Sequence, residues 1–223
     1  MVSLKLNLLR KILPNKIVIN TQSTSNKFVF DPSLNKVVTK RLSEFKKVYE
    51  SENDTWFSEL CFCILTANSK AATAIKIQEH LGAKGFLTLP EADLAKTIRS
   101  FGHRFHNNKA KYICEARAYK NIKELILRQP NSNQARAFLV KSIKGLGLKE
   151  ASHFMRNVGF SDVAIIDRHI LRWMKEKELI SDIPKTITQK FYMHCEQLLK
   201  TIEIPLDELD LKIWGTVTGL VLK

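Results

Sequence analysis

The chain has 223 residues, with Lys+Arg at 36 and Asp+Glu at 22, so its formal net charge is +14. That length suits one large domain or two modest ones with real cores, and no apolar stretch is long and uninterrupted enough to span a bilayer. The basic excess favours a polyanionic partner, because contact with nucleic acid phosphates releases condensed counterions; a basic protein with no such partner has the same composition.

Cys61, Cys63, Cys114 and Cys195 make no plausible disulfide framework in a chain of this size. No CxxC pair exists, so neither a structural zinc site nor any other metal site is expected. A reducing, intracellular setting fits these thiols.

The amino-terminal residues contain no acid before Asp31, and Ser and Thr cluster at positions 21–25. Transit peptides share that composition, whereas Lys5, Arg10, Lys11, Pro14 and Lys16 interrupt any secretory apolar core. The segment reads as a short helix and then an extended stretch belonging to the fold. Strand-like alternation appears only weakly, near Ile17–Phe30.

After Pro32 the pattern is almost wholly helical. Leu42, Phe45, Val48 and Tyr49 mark one face at three- and four-residue spacing. Asn53 or Asp54 can cap a helix running through Trp56, Leu60, Ile64 and Leu65. Ser69 can open the next, with Ala74, Ile77 and Leu81 inward and Gly82 as its stop. Leu89-Pro90-Glu91 begins another, ending near Phe101-Gly102. Residues 109–128 read as one long basic helix with Ile113, Ala116, Ile122 and Ile126 on its apolar side. Asn131–Ile143 leads into a glycine hairpin, and Glu150–Val158 continues beyond it until Gly159. Asp167 caps Arg168–Glu178, and Pro184–Ile202 and Leu206–Leu222 read as the last two helices. With no internal repeat and no low-complexity linker, the expectation is a compact all-α protein.

The hairpin Lys144-Gly145-Leu146-Gly147-Leu148-Lys149 concentrates the chemistry. Its glycines permit positive φ and let backbone N–H groups approach a phosphate, while Leu146 and Leu148 can anchor the turn. The same residues also suit a plain connection between two helices. Lys149 falls at a helix start, where the positive end of the macrodipole favours a neutral, nucleophilic amine; a solvated lysine would look the same. Asp167 follows the apolar run Val163–Ile166. As an N-cap it is held rigid by backbone N–H groups, and a carboxylate so held can stabilise positive charge developing on a sugar ring. Arg168 and His169 can contact phosphate or pair within the protein. Residues Gly102–Lys109 mix basic and aromatic groups at a turn, as stacking and phosphate contact require, and as a solvated loop also can.

Together Gly145–Ser152 and Ile165-Ile166-Asp167-Arg168-His169 resemble the helix–hairpin–helix DNA glycosylase superfamily. More narrowly, Lys149–Phe154, Arg156–Gly159 and the ending Gly219–Lys223 are similar to the archaeal-type 8-oxoguanine DNA glycosylase/AP lyases, the second Ogg family. Phe62–Asn68 and Arg104-Phe105 with Lys109-Ala110 also fit, so the match runs from about Trp56 onward. The resemblance implies two helical lobes with a DNA-binding cleft between them: a central lobe, 55–161, carrying the helix–hairpin–helix, and a second lobe built from 1–54 and 162–223. It implies that Lys149 attacks the anomeric carbon of a damaged nucleotide while Asp167 assists departure of the base. The resulting imine then permits β-elimination and a strand nick. Gly145, Gly147, Arg168, His169 and Lys109 would contact phosphate, and Trp214, Lys223 and Asn68 would form the base pocket. The expected partner is double-stranded DNA containing oxidised guanine, engaged by a monomer without cofactor. Only Cys195 lies beyond Asp167, so the four-cysteine iron–sulfur loop of many relatives cannot be built. Two other readings share these residues: the same chemistry on another oxidised base, and a helix–hairpin–helix module that binds DNA without cutting it.

Overall fold

Three- and four-residue apolar spacing folds into helix after helix across residues 28–223, which the computed structural model describes. We number them α1 (Leu34–Glu50), α2 (Asn53–Thr66), α3 (Ala71–Thr88), α4 (Glu91–Ser100), α5 (His106–Ala116), α6 (Ile122–Leu127), α7 (Ser132–Ser142), α8 (Leu148–Asn157), α9 (Arg168–Glu176), α10 (Gln189–Lys200) and α11 (Leu206–Thr218). No strand occurs among the described residues, and the all-α expectation holds there. The expected amino-terminal helix, the possible targeting role and most of Ile17–Phe30 lie outside them.

Helix α2 is apolar on every side, and each residue from Trp56 to Thr66 is buried, as befits a helix surrounded by others. Around it gathers a core of Phe86, Ile98, Ile113, Leu139, Leu146, Phe154 and their neighbours. A second core forms where α9 turns Ile170, Trp173 and Met174 toward Tyr192, Cys195, Leu209 and Ile213 of α10 and α11. Helix α1 joins α11 through Val38, Phe45 and Leu211.

Polar links cross between the two cores. Arg136 of α7 holds Glu196 of α10 in a bidentate pair at 2.5 and 3.0 Å. Arg156 of α8 pairs with Asp210 of α11, and Lys223 reaches Glu59 of α2 at 2.6 Å. Taking such charges out of water is costly, so each is stabilising only in the one geometry that satisfies its partner.

Several boundaries differ from the sequence expectation for identifiable reasons. Residues 109–128 are not one helix: a 3₁₀ turn at Arg117–Tyr119 separates α5 from α6. There Arg117 donates to the carbonyls of Phe86 at 2.8 Å and Leu89 at 2.6 Å, fastening the turn to the end of α3. The segment after Pro184 becomes helical only at Gln189, where the Thr188 side chain accepts from the Phe191 N–H. Helix α11 stops at Thr218 because Gly219 is left-handed, φ 71°. Gly82 stops the first helical stretch of α3 where the sequence expects it, with φ 57° and ψ −176°, and a second stretch follows directly to Thr88. Neither Asn53 nor Ser69 caps a helix. Asn53 instead reaches α6, accepting from the Lys123 N–H and donating to Glu124, while α3 begins at Ala71.

Candidate active site

The turn between α7 and α8 is built on Gly145, whose φ of +86° lies in the left-handed region. A β-carbon there would come within 2.7 Å of Tyr112 Cδ2, so both conformation and space demand glycine. Leu146, 6% exposed, plugs the turn into the first core, and Leu148 packs against the second. Gly147 is extended and sits at the N-cap position of α8. The first N–H groups of a helix have no partner within it, and here Gly147, Leu148, Lys149 and Glu150 open onto a cleft of about 970 Å³.

Asp167 faces the same cleft from the start of α9. Its Oδ1 accepts from the N–H groups of His169 and Ile170, both at 2.8 Å. Arg168, His169 and Asn68 also line the cleft, together with Arg104, Ser69 and Lys70. Asn68 ends the turn after α2 with φ 59°, a left-handed conformation that Asn tolerates better than most residues. Two helix N-termini, one bearing an amine and the other a carboxylate, thus look into a single space.

The amine of Lys149 is ion-paired with Glu150 Oε1 at 3.0 Å. On the same helix His153 is half-buried, set edge-on to Phe62 with ring centroids 5.4 Å apart. Burial holds the His153 imidazole well below its usual value, helped by the charges of Arg156 and Lys149. His103 is likewise lowered by burial. Its Nε2 lies 2.9 Å from the Leu65 carbonyl, and its Nδ1 accepts from the Phe105 N–H at 3.2 Å. That pattern specifies a neutral ring and pins the loop that presents Arg104.

The remaining expected site residues lie elsewhere. Lys109 is buried at 5% exposure and does not line the cleft; burial lowers its amine, Glu150 opposing and Lys149 reinforcing the shift. Trp214 stands behind the cleft wall, tilted against the His169 ring at 4.9 Å. Lys223 lies over the Phe62 ring at 4.7 Å and lines a separate cavity of about 140 Å³ with Arg41, Phe45 and Asn157. The structure therefore brings Lys149, Asp167, Gly147, Arg168, His169 and Asn68 to one cleft and leaves Gly145, Lys109, Trp214 and Lys223 outside its lining. Glu150 and Tyr192 also line the cleft and were not expected there. Glu150, an acid in the first turn of α8, was open to discovery as a dipole partner; nothing in the sequence marks Tyr192. Among the described residues no His, Cys, Asp and Glu group could hold a metal ion, and no helix is long and apolar enough to cross a membrane.

A family model described as 8-oxoguanine DNA glycosylase matches residues 38–207. The chain belongs to the 8-oxoguanine DNA glycosylase family. A family relative from Methanocaldococcus jannaschii, an 8-oxoguanine DNA glycosylase/AP lyase, is 50% identical over 191 residues, covering 84% of this chain and 92% of its own. A protein of the same description from Aquifex aeolicus is 43% identical over 216 residues, covering 86% and 95% respectively. Among solved structures, the M. jannaschii glycosylase/lyase in complex with a 15mer DNA containing 8-oxoguanine superimposes with a TM-score of 0.81. It is 49% identical, and the match covers 84% of this chain and 92% of that one.

Proposed function

We propose that this member of the 8-oxoguanine DNA glycosylase family is a bifunctional glycosylase/AP lyase that excises 8-oxoguanine from duplex DNA. The observation that carries the reading is the convergence of Lys149 and Asp167, from two helix N-termini, on one cleft. The names of the relatives support oxidised guanine as the lesion.

The flipped nucleotide enters the cleft after leaving the base stack. Unprotonated Lys149 Nζ attacks C1′, and the bond from C1′ to the base breaks with its electron pair departing on the base, which takes up a proton. Asp167, fixed by two backbone N–H groups, stabilises the positive charge that develops on the sugar. Loss of the amine proton and ring opening give an imine. Removal of a C2′ proton then expels the 3′ phosphate by β-elimination, and water returns the lysine. Gly145, Gly147, Arg168 and His169 hold the backbone phosphates on either side, the glycines through main-chain N–H groups. Asn68 meets the base directly, while Trp214 and Lys223 support the pocket from behind, through His169 and Phe62. Lys109 acts by its charge on Lys149 rather than by touching phosphate. We read the two cores as two lobes, 55–161 and the remainder, acting as a monomer. The free thiols and the DNA substrate favour work inside the cell.

The test is borohydride trapping on a duplex containing one 8-oxoguanine. Wild type should form a covalent adduct, and Lys149→Gln should form none while still binding the duplex. Asp167→Asn should slow single-turnover excision by about a hundredfold. An adduct on abasic DNA but not on 8-oxoguanine DNA would transfer the chemistry to another lesion. Binding without any adduct on either would reduce the protein to a binding module.

A further inference from the structure

We infer that Tyr192, on α10, is a positioning residue that sets the catalytic lysine and aspartate against each other through its phenol hydroxyl. The inference rests on the reading of Lys149 and Asp167 given above.

The hydroxyl oxygen touches both catalytic segments. It lies 2.7 Å from the Ala164 carbonyl and 3.1 Å from the Ile166 N–H, so it grips the strand of chain that ends at Asp167. It also lies 3.1 Å from Ser152 Oγ and 3.4 Å from the Leu148 carbonyl, both on the helix that carries Lys149. Leu148 directly precedes Lys149, and Ile166 directly precedes Asp167.

Proton bookkeeping for this oxygen closes. A phenol has one proton to donate and lone pairs to accept with. The shortest contact, to Ala164, takes the proton, and the Ile166 N–H and the Ser152 hydroxyl donate in return; the Leu148 carbonyl at 3.4 Å is then a contact without a proton, so the link to α8 runs through Ser152. One turn farther along α10, Glu196 accepts from the Ala164 N–H at 2.8 Å and from Arg136, which also donates to Ser152 at 3.1 Å. Ala164 is therefore held at both its polar atoms by α10. The ring is nearly enclosed, 3% exposed.

Removing the hydroxyl, which touches both segments directly, frees the Ile166 N–H and leaves only the longer route from Ala164 through Glu196 and Arg136 to Ser152. The ring still fills its place in the second core. Displacements on the order of 1 Å at a reacting group cost roughly a hundredfold in rate, so Tyr192→Phe should lower the single-turnover excision rate constant by about ten- to a hundredfold.

The experiment compares wild type with Tyr192→Phe in single-turnover excision on an 8-oxoguanine duplex. Each protein is also titrated for active sites by borohydride trapping, and duplex affinity is measured separately. A merely destabilised protein loses amplitude, because fewer molecules are folded, yet each folded molecule reacts at the old rate. Positioning predicts the reverse: a slower rate constant at full amplitude with duplex affinity retained. A wild-type rate constant in Tyr192→Phe, whatever its amplitude, overturns the inference. Failure of wild type itself to trap would sink the parent reading, and this inference with it.

Discussion

Replacing Gly145 by alanine should damage the hairpin far more than the same change at Gly147, though the two residues are separated only by Leu146. At Gly145 the backbone has φ +86°, which costs an L-residue roughly 1–2 kcal/mol. The new methyl would also lie 2.7 Å from Tyr112 Cδ2, pushing that ring off its rotamer at a further cost of about 0.5–1.5 kcal/mol. A loss near 2–3 kcal/mol corresponds to roughly 4–12 °C in melting temperature for a domain of this size. At Gly147 the backbone is extended, and the methyl would meet only Glu150 Oε2 at 3.5 Å. Gly147→Ala should therefore melt within about 2 °C of wild type. Because Gly147 lines the cleft, its methyl should still weaken duplex binding. Thermal melting of both variants by circular dichroism, with fluorescence anisotropy on a damaged duplex, separates the two effects. Equal melting temperatures for Gly145→Ala and wild type, or equal losses in both variants, would refute the argument from backbone geometry.

Arg136→Met should leave Glu196, 0% exposed, with only the Ala164 N–H and the more distant Lys200 amine at 3.8 Å, lowering stability by up to about 3–5 kcal/mol; the urea midpoint measures it. Acid should also weaken the fold. His103 and His153 both titrate below the ordinary 6.5 in the native state, so the unfolded chain binds protons that the native one refuses. Their contribution is complete above pH 6.5 and is lost as pH falls toward the folded values. Unfolding free energies at pH 7.5 and 5.5 should diverge accordingly, and His153→Gln should flatten the difference. Damaged-duplex affinity should fall linearly with the logarithm of salt concentration, and Arg168→Ala should reduce that slope by about one; an unchanged slope would remove Arg168 from the phosphate contacts.

Much of this fold is legible because local periodicity dictates it. The apolar run of α2 announces a central helix, and the amphipathic face of α9 announces a helix resting on a core. The hairpin glycines and the Asp167 N-cap are likewise local, each requiring only a few neighbouring residues. What the sequence hides is pairing at a distance. Arg136 and Glu196 each look like ordinary surface charges until α7 and α10 meet, and Tyr192 looks like one more core aromatic. Lys109 misleads in the same way: a basic helix suggests a solvated face, yet this lysine is turned inward, close enough to feel the charges of Glu150 and Lys149. The break at Arg117 was equally hidden, since its cause is a pair of carbonyls at the end of another helix. Trp214 and Lys223 are accounted for by contacts with His169 and with Phe62 and Glu59 that no spacing rule foretells.

The seam between the two cores has a mechanical consequence. Apolar surfaces in contact can shear, because sliding by part of a residue exchanges one set of non-directional contacts for another of similar worth. A guanidinium fork on a carboxylate has no such intermediate positions. With Arg136 seated on Glu196 and Arg156 on Asp210, the seam is latched at two points, and a small slip at either strands buried charges. The two helix N-termini that face the cleft are thus held by directional pairs as well as by apolar contact, which resists sliding of one core along the other.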